Sequence, residues 1–506
     1  MKYSEVKAGA ILGYATIAVN NVVGLLYTPF MLRMLGQTEF GLYSLVASVV
    51  GYLTILDLGF GNAIIRYCAK FRAENKLEEQ YELFGMFFKL YCLIGLVAFV
   101  GGIALYLNVD ALFDKSMTDT ELSQVKIMMG LMVVNVVFTF PMSIWGGIIT
   151  AYERFVFHKM VNIIRICLNA VVMIVLLKMD FKAITMVVVL TIFNMLTLSV
   201  YAWYCLVKLK VRLYFRKIRF EFLKEILSYS LWIFLAGIVD RIYWSTGQFV
   251  IGIYRGAVEI AVFGVAVQLQ AFYSSFSFAL SGVFLPRLVK MDSEHQSNEA
   301  FTSLLIKVGR LQFYVMSLIL TGYILFGEVF VNLWAGEGYQ ESYMISLVFF
   351  CGILLSSVMT LTNNILQAKN KLKFRTLSLV ITALSVFVIC FPAAKYWGGL
   401  GCAICISLGI VIGHVLIMSV YLEKSIGLDM KLFWSSIIKI AYIPLICCIC
   451  TYMILRYCEP MGLITYLAEI CIYAIVLTGL LYKFCFNTSE RYLFNELLNR
   501  LNIFSK

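Results

Sequence analysis

The stretch LGQTEFGLYSL at residues 35–45 returns in altered form as RGAVEIAVFGV at residues 255–265. At a constant offset of 220, Gly36 aligns with Gly256 and Glu39 aligns with Glu259. A second pair of segments agrees at an offset of 217, where Ile148, Ala151, Arg154 and Phe157 match Ile365, Ala368, Lys371 and Phe374. Because the two alignments keep nearly the same phase over about 120 residues, we interpret the chain as an internal duplication.

Composition sets the broad class of the protein. The 506 residues are 61% hydrophobic and 14% charged, with a mean hydropathy of +0.88, which is too apolar for a water-soluble globule. Apolar runs of roughly 20 residues, the length that crosses a bilayer core as a helix, recur along the whole chain. The runs predict about 14 transmembrane helices, at residues 9–31, 41–65, 83–107, 126–150, 156–177, 183–207, 226–251, 259–284, 303–333, 342–366, 374–394, 398–422, 434–455 and 462–484.

Basic residues divide unevenly between the two sides of the predicted membrane. The two termini and every second loop hold 28 of the 41 Lys and Arg residues, whereas the opposite loops hold 7. Since short cytoplasmic loops accumulate Lys and Arg, we predict that both termini are cytoplasmic. The net charge of +12 is then explained by topology and does not indicate a nucleic-acid partner. The first apolar run lacks a small-residue cleavage site, so we expect it to remain in the mature protein.

A repeat of six helices is even, so both copies enter the membrane in the same direction and are related by an axis along the membrane normal. We therefore predict an all-α polytopic membrane protein with two six-helix lobes in a parallel pseudo-repeat and two additional C-terminal helices. The predicted boundaries are 1–207 for the N-terminal lobe, 208–225 for a basic cytoplasmic linker, 226–422 for the C-terminal lobe, 423–484 for helices 13 and 14, and 485–506 for a cytoplasmic tail.

Three motifs accompany this architecture. They are the L-G-x-x-x-F-G-x-Y stretch at 35–43, the sequence Asp57-Leu58-Gly59-Phe60-Gly61, and the I-x-x-A-x-x-[KR] turns that begin at Ile148 and Ile365. With these motifs and two six-helix lobes, the chain resembles bacterial polysaccharide transporters over essentially its whole length. These are the O-antigen and capsule flippases of the multidrug/oligosaccharidyl-lipid/polysaccharide exporter superfamily.

The resemblance implies a flippase that moves a polyprenyl-pyrophosphate-linked oligosaccharide from the cytoplasmic to the periplasmic leaflet by alternating access. It implies a role in surface polysaccharide biosynthesis, such as that of lipopolysaccharide O-antigen, and a multi-pass location in the bacterial cytoplasmic (inner) membrane. Membrane lipid and a polysaccharide polymerase are the further candidate partners. We expect no enzyme activity, no catalytic residues and no cofactor.

Two other functions stay open at this point. A multidrug or cation antiporter of the same fold would bind amphipathic cations, so its cavity should favour acids and aromatic residues over arginines. A membrane enzyme, such as a glycan polymerase or ligase, would need carboxylates or histidines on a sizeable extracytoplasmic segment. The longest such loop, at about residues 108–125, contains acids but no accompanying motif.

Polar residues share one face of the fifth predicted helix. His158, Asn162, Arg165 and Asn169 follow each other at intervals of 4, 3 and 4 residues. An arginine near the bilayer centre costs about 2.5–3.5 kcal/mol on insertion scales, so Arg165 needs a partner or a hydrated cavity. A diphosphate removed from water needs positive donors, which Arg supplies as a paired fork. We therefore predict that Arg165, Asn162 and Asn169 bind substrate.

Further charged residues lie inside predicted spans. Arg241, Lys89 and Arg310 are predicted to contact substrate, and the last two occupy nearly equivalent places in predicted helices 3 and 9. Asp57 and Asp240 are candidates for ion or proton coupling. Each has a structural alternative. Asp240 can neutralise Arg241, and Asp57 can cap or bend its helix. The long side chains of Lys89 and Arg310 can snorkel to the interface.

Shorter polar stripes and the cysteines have plain structural explanations as well. The stripes are Asn135, Thr139 and Ser143 in predicted helix 4, Arg241, Ser245 and Gln248 in helix 7, and Ser356, Thr360, Asn363 and Gln367 in helix 10. Such residues either line a polar path or hydrogen-bond helix to helix. The two clusters among the 14 cysteines lie in apolar helices without His, Asp or Glu at ligand spacing, so we predict no metal site.

The predicted topology can be tested by cysteine labelling. A cysteine at position 217 should react only from the cytoplasmic side, and one at position 115 only from the periplasmic side, because of the distribution of cations. A membrane-impermeant maleimide applied to cells and to inverted vesicles measures both. Periplasmic labelling at 217 or cytoplasmic labelling at 115 would overturn the orientation.

Overall fold

The structure, a computed structural model, describes residues 2–216, 220–281, 284–369, 371–456, 462–492 and 494–496. This part of the chain is 89% helix and contains no strand, which confirms the predicted all-α membrane class. The helices are α1 (Lys2–Leu53), α2 (Phe60–Ala73), α3 (Leu77–Leu107), α4 (Val109–Phe113), α5 (Asp119–Ala151), α6 (Phe155–Lys178), α7 (Ala183–Trp203), α8 (Phe220–Tyr254), α9 (Ala257–Ser281), α10 (Leu285–Ser293), α11 (Asn298–Ala335), α12 (Glu341–Ser357), α13 (Thr360–Ala368), α14 (Leu372–Ile410), α15 (Met418–Tyr421), α16 (Met430–Leu455) and α17 (Leu463–Phe484). Short 3-10 or π-helical segments extend some of them, at Thr54–Asp57, Tyr204–Lys208, Val411–Ile417 and Leu422–Ile426.

Twelve stretches of the described residues are long and apolar enough to cross a membrane. The predicted number of about 14 is not confirmed, because two pairs of predicted spans each form one helical stretch. Spans 9–31 and 41–65 fall in Ile11–Ala73, and spans 374–394 and 398–422 fall in Leu372–Ile426. The other predicted spans each coincide with one stretch.

Each merged stretch contains a glycine outside the helical region. These are Gly36 in α1, with φ 75° and ψ 172°, and Gly398 in α14, with φ 58° and ψ −141°. A straight helix of the 52 residues of α1 would be about 78 Å long, more than twice the roughly 30 Å of a bilayer core. The kink at Gly36 therefore separates two segments that are each long enough to span.

Two predicted spans contain breaks that the sequence analysis missed. Span 41–65 passes over the Thr54–Asp57 turn and the left-handed residues Leu58 and Gly59, after which α2 begins. Span 342–366 passes over Val358 and Met359, where α12 ends and α13 begins. Helix breaks at membrane depth are tolerated where protein surrounds them, and Val358 and Met359 are both buried.

The chain forms two compact units. Unit 1 comprises Met1–Gln268, Trp334–Ile345 and Leu372–Gly409, and unit 2 comprises Leu269–Leu333, Ser346–Lys371 and Ile410–Lys506. The units are defined by packing, whereas the predicted lobes are defined by the sequence repeat, so the lobe boundaries stay a prediction. Of the predicted linker and tail, residues 217–219, 493 and 497–506 lie outside the described residues.

In unit 1, the two copies of the repeated stretch pack directly against each other. A side chain on Gly41 would collide with the carbonyl of Ala257, so the second half of α1 and the start of α9 cross backbone to backbone. Farther along, a Cβ on Gly264 would lie 3.2 Å from Ser44 Oγ. Since Ser44 and Gly264 are equivalent at the offset of 220, a position of one copy faces its own counterpart. Contacts between equivalent positions are what a two-fold relation produces at its axis.

The residues that start the two copies also have matching roles. Gly36 and Gly256 both adopt a left-handed backbone, with φ 75° and 86°, which glycine adopts without the clash of a Cβ. Glu39 accepts hydrogen bonds from Gln124 Nε2 at 3.0 Å and from the Ala183 N–H, at the start of α7, at 3.1 Å. Glu259 accepts a hydrogen bond at 2.7 Å from the N–H of Gly399, the residue that follows the kink in α14. In both copies, the glutamate binds the N-terminus of another helical segment.

The core of unit 2 joins α11 to α16 and α17. Phe433 of α16 is fully buried, and one of its ring carbons lies 2.8 Å from where a Cβ on Gly309 of α11 would stand. Tyr466 of α17 donates a hydrogen bond to the Phe326 carbonyl at 2.8 Å. These contacts dock α16 and α17 onto α11.

The predicted linker contains an extended segment that runs along α3. Tyr214 donates its N–H to the Tyr81 carbonyl at 3.0 Å, and a side chain on Gly85 would collide with the Tyr214 carbonyl. Arg216 forms ion pairs with Glu82 and, at 3.8 Å, with Glu78. Arg216 is therefore held against the acidic start of α3.

Substitution of Gly41 tests the close helix crossing. We expect Gly41→Ala to destabilise the protein by about 1–3 kcal/mol, because the added methyl group must push the Ala257 carbonyl away. Gly130→Ala is the matched control, since nothing lies within 4 Å of the new Cβ and removing a helical glycine stabilises by about 0.4–1 kcal/mol. Thermal unfolding of the detergent-purified variants measures both. Equal midpoints for Gly41→Ala and wild type would contradict the crossing.

Candidate functional site

The polar stripe predicted for the fifth span lies on α6. This helix runs without interruption from Phe155 to Lys178, so the spacing of 4, 3 and 4 residues places the four polar residues on one face. Arg165 Nη2 donates to Asn162 Oδ1 at 3.1 Å, one turn earlier on the same helix. The structure thus brings together two of the predicted substrate-binding residues.

Arg165 lacks a compensating acid. Among the described residues, no carboxylate lies within 4.0 Å of its guanidinium, and its Nε is buried without a hydrogen-bond partner. The Oδ1 of Asn169 and the Nδ1 of His158 are likewise buried and without a partner. One helix face therefore presents an unpaired donor, an unpaired acceptor and a ring nitrogen that can act as either.

Aromatic packing fixes the start of this face. The His158 ring stacks on the Tyr201 ring of α7 with centroids 4.9 Å apart, and the Tyr201 hydroxyl donates to the His158 carbonyl at 3.3 Å. Phe157 stacks on Tyr204 at 3.8 Å. The stacking holds the imidazole in one orientation while its Nδ1 stays available.

Arg241 and Asp240 lie on α8, which follows the predicted linker. A Cβ on Gly51 would come within 3.5 Å of both Arg241 Nη1 and Ser245 Oγ, so the stripe of α8 faces the second half of α1. Asp240 accepts a hydrogen bond from the Trp244 side chain and feels the charge of Arg241. Both residues are exposed on the surface of the protein, which includes the surfaces that face lipid or a cavity.

The structure assigns Lys89 and Arg310 intramolecular contacts of different strength. Lys89 Nζ donates to the Arg216 carbonyl at 3.0 Å and lies 5.7 Å from the Phe215 ring, so it holds the extended linker segment. Arg310, although at a similar place in its span, is enclosed by a denser set of groups. The two positions are not equivalent in their contacts.

Arg310 is bound by the segment of the chain that follows α17. Its Nε and Nη2 donate to the two carboxylate oxygens of Glu490 at 2.7 and 3.0 Å, and Nη2 also donates to the Cys485 carbonyl at 2.7 Å. The side chain of Glu490 is only 5% exposed. Burial alone would raise the pKa of the Glu490 carboxyl, but the hydrogen bonds from Arg310 and the Asn487 N–H and the positive charge outweigh it, so the pKa is lowered.

Asp57 lies at the helix break that ends α1. The Tyr91 hydroxyl of α3 donates to its Oδ1 at 3.0 Å, and the Gly59 N–H also bonds to its side chain. The structural alternative, in which Asp57 caps a bend, is consistent with these contacts. A role in coupling stays a prediction for both Asp57 and Asp240.

The shorter stripes make contacts between helices. Asn194 of α7 donates to Asn135 Oδ1 at 2.6 Å and to Thr139 Oγ1 at 2.7 Å, both on α5. The stripe of predicted helix 10 is divided by the break, with Ser356 on α12 and Thr360 on α13. The α5 stripe thus serves helix packing, and the α12/α13 stripe does not share one continuous face.

Sequence reasoning missed three polar contacts that organise the candidate residues. They are the pairing of Arg310 with Glu490, the bond from Tyr91 to Asp57, and the capping by Glu39 and Glu259. The last had a visible signal, since both copies of the repeat keep a glutamate within an apolar segment. The other two join residues far apart in the chain, and nothing in their local sequence indicates the pairing.

Comparisons with known proteins add the following findings. The family model described as "Polysaccharide biosynthesis protein" matches residues 6–292. A Shigella flexneri protein assigned as an O-antigen transporter is 21% identical over 421 residues, which cover 81% of this chain and 96% of that protein.

Two solved structures share the fold. The lipid II flippase MurJ in an inward closed conformation is similar with a TM-score of 0.72 and 14% identity, covering 94% of this chain and 98% of that one. An inward-facing multidrug resistance transporter of the MATE family, a member of the MOP superfamily, is similar with a TM-score of 0.59 and 15% identity, covering 80% and 99%. At these identities the likeness concerns the fold.

Removal of the Arg310–Glu490 pair should destabilise the protein. We expect Arg310→Gln to cost about 3 kcal/mol, because it leaves a buried carboxylate without its counter-charge. Since the folded pKa of Glu490 is lowered, the pair stabilises the fold above the ordinary Glu pKa of about 4.3 and loses this effect as pH falls through the lowered value. The stability difference between wild type and Arg310→Gln should therefore shrink in acid, as thermal unfolding at several pH values will show.

The matched control is the solvent-exposed pair of Lys76 and Glu74, whose nitrogen and oxygen lie 2.7 Å apart. Lys76→Gln should leave stability at neutral pH unchanged, because exposed ion pairs contribute little. A pH-independent effect of Arg310→Gln would contradict the assigned role of Glu490.

Proposed function

Because this chain belongs to the polysaccharide biosynthesis protein family, within the MOP superfamily of exporters, we propose that it is a flippase for a polyprenyl-pyrophosphate-linked oligosaccharide. The substrate crosses from the cytoplasmic to the periplasmic leaflet of the bacterial inner membrane while two lobes alternate in access. Both termini are cytoplasmic in this proposal, and the product feeds surface polysaccharide synthesis, with a polymerase as a candidate partner.

The uncompensated guanidinium of Arg165 is the observation that carries the proposal. An arginine inside a span is expensive unless an acid, a hydrated cavity or a ligand compensates it. Arg310 shows how this protein neutralises a structural arginine, which donates two hydrogen bonds to one carboxylate. The described residues offer Arg165 only the neutral Asn162 oxygen, which supports a role for an external anion.

The chemistry of the face suits a glycosyl diphosphate. The unpaired Nε of Arg165 is a charged donor for a phosphate oxygen, and Arg provides the strongest such bonds. The unpaired Oδ1 of Asn169, one turn away, can accept from a sugar hydroxyl. A glycan removed from water needs such hydrogen-bond partners, because each hydroxyl without one costs roughly 2–7 kcal/mol.

The other predicted residues have secondary places in the proposal. Arg241, on the stripe of α8 that faces α1, is a second candidate for a phosphate contact. Lys89 and Arg310 are held by Arg216 and Glu490, so they can act on substrate only where those bonds open. Asp57 and Asp240 remain the candidates for coupling.

Substitution of Arg165 tests the binding role. Arg165→Gln should preserve the membrane level of the protein and abolish translocation, because an amide keeps hydrogen bonding but carries no charge. Arg165→Lys should retain part of the activity, since Lys binds phosphate without the paired fork. Lipid-linked glycan that accumulates in the cytoplasmic leaflet, measured beside membrane abundance, reports both effects.

Two control variants separate binding from folding. Arg154→Gln removes an exposed cation that pairs with Glu5 at 2.7 Å just before α6, and it should leave translocation near the wild-type level. Arg310→Gln should lower abundance instead. Normal flipping by Arg165→Gln at normal abundance would refute the binding role, and rescue of a low Arg165→Gln level by neutralising an acid would indicate an internal ion pair.

A further inference from the structure

The end of the extended linker segment follows one face of α3 in unit 1. The N–H of Tyr214 donates to the Tyr81 carbonyl at 3.0 Å, and the two rings meet edge to face with centroids 5.5 Å apart. The ring of Phe215 lies 6.1 Å from that of Phe88. The α3 positions that the linker contacts repeat at helical spacing, at 78, 81, 82, 85, 88 and 89, so they share one face. We call residues 214–216 the strap.

The linker segment is buried before the strap and exposed within it. Val211 is 3% exposed and belongs to a hydrophobic core formed with α2, α3 and α5, against which Leu213 also packs. Phe215 is 56% exposed, and the side chain of Arg216 is 61% exposed. Segments with exposed contacts open locally more easily than buried ones. The strap can therefore leave α3 while the core holds the segment before it in place.

The strap occupies the ammonium group of Lys89. Lys89 Nζ donates to the Arg216 carbonyl at 3.0 Å and lies 5.7 Å from the centroid of the Phe215 ring. Among the described residues, no carboxylate lies within 4.0 Å of this nitrogen, whereas Arg310 is paired with Glu490. A peptide carbonyl carries only a partial negative charge, so a full anion binds an ammonium group more strongly. An anion can therefore replace the present partner of Lys89.

We propose that the strap is an autoinhibitory contact that masks Lys89, and that the diphosphate group of a prenyl-linked substrate displaces it. The inference rests on the proposed function, because it takes its ligand from there. Lys binds phosphate as a point charge and needs no fixed geometry to do so. In the structure, the Arg216 carbonyl occupies the place of a phosphate oxygen, and the ion pair with Glu82 holds the strap on α3. Headgroup binding is thereby coupled to release of the segment that precedes α8.

Limited proteolysis of the detergent-purified full chain measures release of the strap. Trypsin cleaves after Arg216 only when the strap leaves α3, and mass spectrometry locates the cut. We expect farnesyl diphosphate to raise the rate of this cleavage at least about fivefold, because proteolysis follows the population of the open form. Inorganic diphosphate should act only at higher concentration, because it lacks the prenyl chain. Farnesol, which lacks the anion, should have no effect.

Four variants separate masking of Lys89 from general loosening. Lys89→Met removes the cation, so it should raise basal cleavage and abolish the response to farnesyl diphosphate, whereas Lys89→Arg should retain the response. The matched control is Lys126→Met, since Lys126 also lies in a predicted span but pairs with Asp110 at 2.6 Å, and its response should equal that of the wild type. Gly85→Ala should be cleaved rapidly without ligand, because its methyl group would collide with the Tyr214 carbonyl.

Each result decides the proposal. A response to farnesyl diphosphate that Lys89→Met retains would overturn it, and so would cleavage of Gly85→Ala at the wild-type rate. A wild-type protein that translocates lipid-linked glycan but keeps its strap closed in farnesyl diphosphate would overturn the strap and leave the proposed function intact. A wild-type protein that does not translocate would refute the proposed function, and the strap with it. A response lost in Lys89→Met and kept in Lys89→Arg and Lys126→Met supports the strap.

Discussion

The structure depends on one constraint: in hydrocarbon, every backbone N–H and C=O must find its partner inside the protein. Helices meet the constraint along their length but leave unpaired groups at each end. At two points where a helical segment starts within an apolar stretch, a glutamate side chain supplies the acceptor. Glu39 binds the start of α7 and Glu259 binds the segment after the kink in α14. The carboxylates are compensated by N–H donors and, for Glu259, by Arg255 at 3.9 Å.

The sequence predicted the class of fold well because its signals are local. Apolar runs are read from composition, and among the described residues each predicted span overlaps one of the long apolar helical stretches. The breaks at Leu58 and Val358 were missed, because hydropathy does not change where a helix is interrupted inside protein. The number of spans is not confirmed, since the chain continues through the kinks at Gly36 and Gly398 without an intervening polar loop and each pair of predicted spans forms one helical stretch.

The candidate site was predictable only in part. The polar face of α6 follows from spacing, and the structure keeps Arg165 beside Asn162. Whether an arginine is structural or available depends on residues far away in sequence. Arg310 is neutralised by a carboxylate 180 positions later, and only the folded chain shows this. The contrast between these two arginines separates a charge that the protein has compensated from one that it has left for something else.

The meeting of Ser44 with Gly264 has a consequence for how the chain could have arisen. Immediately after a duplication, the two copies are identical, so a position on the symmetry axis faces another instance of the same residue. Such a residue must fit against itself, and at a separation of 3.2 Å from a Cβ only a small side chain can do so. A larger side chain at one of the two positions would require a smaller side chain at the other position first. Positions away from the axis carry no such requirement, and the two halves of the gene were free to diverge there first.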